Sequence, residues 1–247
     1  MYNPFSLAGK KIFVTGASSG IGRATAIECS KMGASLIING RDEERLKDTL
    51  SRLDMGVHSM FVGDLTVEDM LKRLLDELPV LDGVFFCAGV TDTTLVKFID
   101  KAKIDRVFNI NLLSPILLTK SLLKKKKIRE GSSLVYMSSM GVEEVTIGLG
   151  LYAASKSALN SFTKAVANEL VCKKIRANTI MPMMVRTELV DNITTLSKKE
   201  LEEDEARYPL GYGRPEDIAY AAIYLLSDAS RWITGSSIRM DGGSTLA

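Results

Sequence analysis

The chain carries a single histidine, His58, and three cysteines, Cys29, Cys87 and Cys172. With His58 alone, neither a histidine-based metal site nor a serine–histidine–aspartate triad is expected. The cysteines are odd in number, far apart and without a CxxC pair, which argues against a disulfide framework and a zinc-binding pattern. No apolar run approaches the roughly 18 residues of a membrane span, and Met1 to Gly9 has neither the charged nor the apolar region of a signal peptide. With 32 basic against 30 acidic residues the formal net charge is +2, so nothing points to nucleic acid or an anionic membrane as partner. The expectation is a cytoplasmic protein whose chemistry needs no metal.

What is present suffices for a core: 247 residues, 46% apolar and 25% charged, fit one α/β domain. From Lys10 onward, short β-branched or apolar runs alternate with amphipathic stretches, the order that βαβ units in a parallel sheet require. Strands are predicted over Lys11–Thr15, Ser35–Asn39, His58–Val62, Gly83–Cys87, Leu134–Ser138, Arg176–Ile180 and Ser237–Met240. Apolar residues spaced by three and four predict helices over Gly20–Met32, Glu43–Leu53, Val67–Leu78, Ile104–Lys127, Tyr152–Val171 and Pro215–Leu226. The fold class is therefore α/β, a doubly wound parallel sheet of about seven strands flanked by helices.

Two segments depart from this alternation. Residues 183–212 leave the carboxyl edge of a strand, where such sheets bind ligands, and combine a helix-like acidic run, Leu196 to Arg207, with Pro209, Gly211 and Gly213. A substrate lid is expected there, with a plain surface excursion as the alternative. Lys124 to Lys127 and Arg129 form a basic run near a helix end. Cations there complement the helix dipole, so the run reads as a solvated terminus.

After the first strand comes TGASSGIG, Thr15 to Gly22, opening the first helix. Glycines at 16, 20 and 22 permit a tight turn, close approach of a pyrophosphate and close helix packing, while the helix N-terminus supplies free N–H groups. A purely conformational glycine turn is the alternative. At the end of the second strand, where a carboxylate would bind a ribose 2′-hydroxyl, the chain reads Ile38, Asn39, Gly40, Arg41. No acid stands there, and the fork of Arg41 suits a 2′-phosphate. NADP(H) is thus favoured over NAD(H), although Asp42 and Glu43 follow directly and either cap the next helix or weaken the positive field.

Tyr152 and Lys156 sit four apart in YAASK, with Ser139 upstream. On a helix, positions i and i+4 share a face, and an ammonium within about 4–6 Å favours phenolate. Moving a tyrosine from about 10 to near 7 takes about 4 kcal/mol. An ordinary surface helix produces the same pair by chance.

Taken in order along the chain, TGASSGIG, Ser139 and YAASK resemble the classical short-chain dehydrogenase/reductase family over nearly the whole sequence, nearest in type to 3-oxoacyl-[acyl-carrier-protein] reductases. Asp64 in GDLT, followed by Leu65, is similar to the family's adenine-contacting aspartate, and Cys87, Ala88 and Gly89 to the end of its NNAG element. Asn111 in FNINL is similar to its fourth catalytic residue, and ITGSSIRMDGG to its last strand.

The resemblance implies a single Rossmann-type domain over residues 1–247 and a homotetramer built through helices Ile104–Lys127 and Tyr152–Val171. It implies that Tyr152 is the general acid or base, that Lys156 lowers its pKa and holds the nicotinamide ribose, that Ser139 rather than Ser138 binds the substrate oxygen, and that Asn111 positions a water for proton return. The cofactor would meet Gly16, Ser18, Ser19, Gly20, Ile21, Gly22, Arg41, Asp64, Leu65, Cys87, Ala88, Gly89, Tyr152, Lys156, Pro182, Val185 and Thr187.

Departures from the family pattern matter. Phe86 and Cys87 replace two asparagines, so a hydrogen bond tying the central sheet is expected to be missing. Met183 replaces a glycine after Pro182, and with Met181 and Met184 suggests an adaptable apolar wall. The implied activity is interconversion of a carbonyl and a secondary alcohol, with a 3-oxoacyl thioester, free or carrier-bound, as leading substrate and sugars, steroids or small ketones as alternatives. A non-catalytic dinucleotide sensor or scaffold is a further alternative, which retention of Asn111, Ser139, Tyr152 and Lys156 disfavours.

Overall fold

The computed structural model describes residues 2–188 and 198–246. Among them, seven strands pair in parallel: β1 (Lys11–Thr15), β2 (Ser35–Gly40), β3 (Ser59–Val62), β4 (Leu81–Phe86), β5 (Ile128–Met137), β6 (Arg176–Pro182) and β7 (Ser237–Met240). Their order is β3-β2-β1-β4-β5-β6-β7. The chain runs outward from β1 to β3, then crosses back to β4 on the other side of β1. That reversal opens a crevice at the carboxyl ends of β1 and β4.

Both faces of the sheet are covered, which explains the nearly unbroken apolar runs of its inner strands. Successive side chains point to opposite faces. Ile12 and Val14 of β1 join Val135 and Met137 of β5 in one core, whereas Phe13 joins Leu134 and Tyr136 in the other. The first core is closed by α1 (Gly20–Lys31), α2 (Glu43–Ser51) and α8 (Pro215–Leu226), the second by α3 (Glu68–Glu77), α5 (Ser114–Lys124) and α6 (Gly150–Leu170). No helix among the described residues is long and apolar enough to cross a membrane.

Three expectations change in detail. The single helix read over Ile104–Lys127 is α4 (Lys101–Phe108), a π-helical stretch Asn109–Leu113 and α5. Pro115 has no N–H to offer the Asn111 carbonyl four residues back, and the helix widens just before it. β5 starts at Ile128 rather than Leu134, with a register shift against β4 between Leu81 and Gly83. Gly131, at φ +80, lies inside that irregularity. The acidic run read as helical over Leu196–Arg207 is α7 (Lys198–Glu205), and residues 189–197 of the expected lid lie outside the described residues.

Candidate active site

At the carboxyl ends of β1 and β4 opens a cleft of about 340 Å³. Its floor is the glycine-rich turn. Gly16 adopts φ +68, and a Cβ on it would stand 2.8 Å from the Ala88 backbone; one on Gly22 would stand 2.2 Å from the Gly16 carbonyl oxygen. Only glycine lets β1, β4 and α1 approach this closely. Arg23 donates to the Ser18 carbonyl at 2.6 Å and Thr49 to the Ala17 carbonyl at 2.9 Å, so α1 and α2 grip the turn from outside. Ser18, Ser19, Gly20 and Ile21 line the cleft, and no side chain caps the first amides of α1.

At one end, where β2 and β3 finish, Arg41 faces Asp64, Nη1 to Oδ2 at 3.7 Å. Burial favours the neutral Asp64 carboxyl, but the Thr66 amide and hydroxyl, at 2.9 and 2.7 Å, and the Arg41 charge together hold it below the usual carboxylate range. Asn39 is buried, donating to the Phe61 and Gly63 carbonyls at 3.0 and 3.1 Å. It ties β2 to β3 beneath the cleft and carries no charge to oppose a phosphate. Asp42 caps α2, accepting from the Arg45 amide at 3.0 Å, the role read for it as one alternative.

At the other end Tyr152 and Lys156 project from α6. Lys156 Nζ donates to the Met137 carbonyl at 2.8 Å and lies 5.9 Å from the Tyr152 ring centroid. Burial lowers its pKa from the usual 10.5 to about 8. Burial raises the phenol's pKa and outweighs a hydrogen bond from Ser139 that favours phenolate. A cation four residues away does not settle a tyrosine's pKa when the phenol itself is desolvated.

Ser139 caps a short turn, accepting from the Gly141 amide at 3.0 Å. A Cβ on Gly141 would meet Ser139 Oγ at 3.2 Å and Tyr152 Cε1 at 3.8 Å, so both border one glycine. Ser138 is instead locked into the sheet, its amide on the Ile180 carbonyl at 2.8 Å. Asn111 is buried in the π-helical stretch and exchanges two hydrogen bonds with the Val90 backbone, at 2.8 and 2.9 Å. A Cβ on Gly89 would stand 3.3 Å from Asn111 Oδ1 and 3.4 Å from Lys156 Nζ. Beside these groups, a second cavity of about 20 Å³, bounded by Asn111, Ser114 and Lys156, has room for one water.

The ends of β1 and β4 are tied through backbone amides, whatever side chains stand at 86 and 87. Thr15 Oγ1 accepts from the Cys87 and Ala88 amides at 3.0 and 3.1 Å, joining the ends of β1 and β4 without an asparagine. Burial raises the Cys87 thiol to about 12, so it is an unreactive filler at the cleft wall.

Of the sequence-read positions, Gly16 to Gly22, Arg41, Asp64, Leu65, Cys87 to Gly89, Tyr152, Lys156 and Thr187 border the cleft. Ser139 and Asn111 reach it through neighbours. Pro182 ends β6, and Val185 bridges to Gly213, both behind the lining. Ile110 and Ser114, on either side of Asn111, and Glu188, next to Thr187, were not read from sequence, although their neighbours marked the region.

A doubly wound sheet with a glycine-lined cleft at its switch point, faced by a tyrosine and a lysine, defines a dinucleotide-dependent oxidoreductase. Residues 16–245 match the family model described as Enoyl-(Acyl carrier protein) reductase. The chain belongs to the short-chain dehydrogenase/reductase family. It is 32% identical over 238 residues to the 3-oxoacyl-[acyl-carrier-protein] reductase FabG of Rickettsia conorii, covering 96% of this chain and 97% of that protein. A short-chain type dehydrogenase/reductase from Mycobacterium ulcerans matches with a TM-score of 0.88 at 32% identity, over 98% of this chain and 91% of that one. A structure from Agrobacterium tumefaciens with bound NADP, described as a candidate 2-deoxy-D-gluconate 3-dehydrogenase, matches with a TM-score of 0.88 at 28% identity over the whole of both chains.

Proposed function

We propose that this chain is an NADPH-dependent carbonyl reductase acting on a 3-oxoacyl thioester. The observation that carries the reading is the convergence of Tyr152, Ser139, Lys156 and Asn111 at the Gly89 end of the cleft. The cleft fits a dinucleotide, because glycine at 16 and 22 lets the turn close tightly on the Ala88 backbone and the start of α1, and the uncapped amides of α1 suit a pyrophosphate. When bound, the cofactor supplies the hydride. Arg41 would take the 2′-phosphate, Asp64 and Leu65 the adenine, and Cys87, Ala88, Gly89 and Thr187 would flank the nicotinamide half, with Pro182 and Val185 in the layer behind them.

Tyr152, held protonated by burial, gives its proton to the carbonyl oxygen as charge develops there. Ser139 donates a hydrogen bond to the same oxygen. Lys156, fixed on Met137, stands by the phenol and returns the proton through a water in the cavity beside Asn111.

Two features support an acyl substrate. The R. conorii relative is named for a 3-oxoacyl carrier-protein substrate, and the loops beyond Gly89 and Ser139 expose Leu95, Val96, Val145 and Ile147. The Thr94 amide on the Gly148 carbonyl, at 2.9 Å, brings those loops together into an apolar rim. A carrier would approach from this rim. The basic run at Lys124 to Lys127 lies at the amino end of ten-residue β5, about 33 Å of strand away from Ser139, and is occupied locally: Lys125 pairs with Asp76 and Arg129 with Asp82.

The same reading makes residues 1–247 one cytoplasmic domain with its lid at 183–212. It is taken as a homotetramer, in keeping with Ile104, Leu113 and Leu117 exposed along α4, the π-helical stretch and α5. NADPH oxidation with a 3-oxoacyl thioester, a ketose and a small ketone tests the substrate. The thioester is expected to exceed the ketose in kcat/KM by at least about tenfold; the reverse order overturns the assignment.

A further inference from the structure

Three arginines gather where β2 ends, each facing a carboxylate. Arg41 faces Asp64 at 3.7 Å, Arg23 faces Asp48 at 3.3 Å, and Arg45 is paired with Glu188. Arg23 holds the Ser18 carbonyl and stands close enough to Arg45 for the two charges to repel. A Cβ on Gly40 would stand 3.0 Å from Ser18 Cβ. The glycine-rich turn and the end of β2 therefore share one corner of the cleft, and Arg45, on the first turn of α2, stands just behind that lining and meets it through Glu188.

Glu188 differs from the other two carboxylates. Asp48 lies on α2 and Asp64 follows β3, next to their arginines in the fold. Glu188 enters from beyond β6, 143 residues from Arg45 along the chain, and borders the cleft together with Arg41 and Asp64. Both Arg45 and Glu188 side chains are about half exposed, 44% and 54%. Such a pair is weakly held in water. The Arg45 backbone is held by the Asp42 cap on its amide, so its side chain extends from a fixed first turn of α2.

We propose that Arg45 is a second ligand for the cofactor's 2′-phosphate and that Glu188 competes with this phosphate for it, so that the pair tunes discrimination between NADPH and NADH. The proposal rests on reading the cleft as the dinucleotide site. A phosphate monoester brings a charge of about −1.5 to −2 and three acceptor oxygens, against one charge on the carboxylate. Guanidinium binds phosphate oxygens two at a time. The 2′-phosphate therefore displaces Glu188 from Arg45, whereas the neutral 2′-hydroxyl of NADH leaves the pair intact. Glu188 lowers NADPH affinity without touching the phosphate itself.

Calorimetric titration of the full chain with NADPH and with NADH tests this through the ratio of the two dissociation constants. Glu188→Gln is expected to shift the ratio toward NADPH by about two- to fivefold, and Arg45→Gln to shift it toward NADH by about tenfold. In the Arg45→Gln background, adding Glu188→Gln is expected to leave the ratio unchanged. NADH binding serves as the check that each variant is folded. An unchanged ratio in Glu188→Gln, or equal weakening of both cofactors as a mere strap across the cleft would give, overturns the proposal. A wild type that prefers NADH, yet shifts toward NADPH in Glu188→Gln, keeps the competition and removes the cofactor preference proposed above.

Discussion

Tyr152 is held between opposing influences: burial keeps the proton on the phenol, and Ser139 draws it toward phenolate. The spacing of four identified Tyr152 and Lys156 as partners, yet it did not disclose the direction of the phenol's shift. That direction depends on how deeply α6 is packed, which is a tertiary quantity. Lys156 carries a consequence for stability. Its folded pKa of about 8 lies below the usual 10.5, so between these values the unfolded chain binds the proton more readily, and stability climbs with pH across that window. Below about pH 8 both states are protonated and the full penalty is present, on the order of 3 kcal/mol. Lys156→Met is therefore expected to raise the denaturation midpoint of the cofactor-free protein at pH 7, with the gain shrinking toward pH 10. A gain independent of pH would contradict a buried, titrating ammonium.

At the scale of elements, boundaries were legible where chemistry marked them. β7 and α8 have the limits read from sequence, the helix starting at Pro215, a residue suited to a first turn. The early start of β5 was not legible, because Arg129 to Gly131 is polar and exposed and pairs only through an irregularity. Nor was the Thr15 tie. A threonine at a strand end looks ordinary until topology sets β4 beside it. Thr15→Val removes the acceptor of the Cys87 and Ala88 amides, and is expected to cost about 1–3 kcal/mol in denaturant unfolding while weakening NADPH binding. A change under about 0.5 kcal/mol would mean that the strand ends hold together without it.

Across the whole molecule, parallel topology carries Thr15, Arg41, Gly89, Ser139 and Thr187 from five separate strand ends to one edge. The alternation of strands and helices made that edge predictable, and so most of the cleft was readable before any contact was known. The Arg45–Glu188 pairing was not readable, since 143 residues of chain separate its members. The same topology sends the basic run to the opposite edge.

Proton donation by Tyr152 to the carbonyl oxygen is the step on which the proposed chemistry turns. Single-turnover oxidation of NADPH by a 3-oxoacyl thioester, compared between wild type and Tyr152→Phe, isolates that step. The predicted result is a loss of about 10²- to 10⁴-fold in rate with NADPH affinity within about threefold, because the phenyl ring fills the same half-buried space. Equal rates in the two proteins would contradict it.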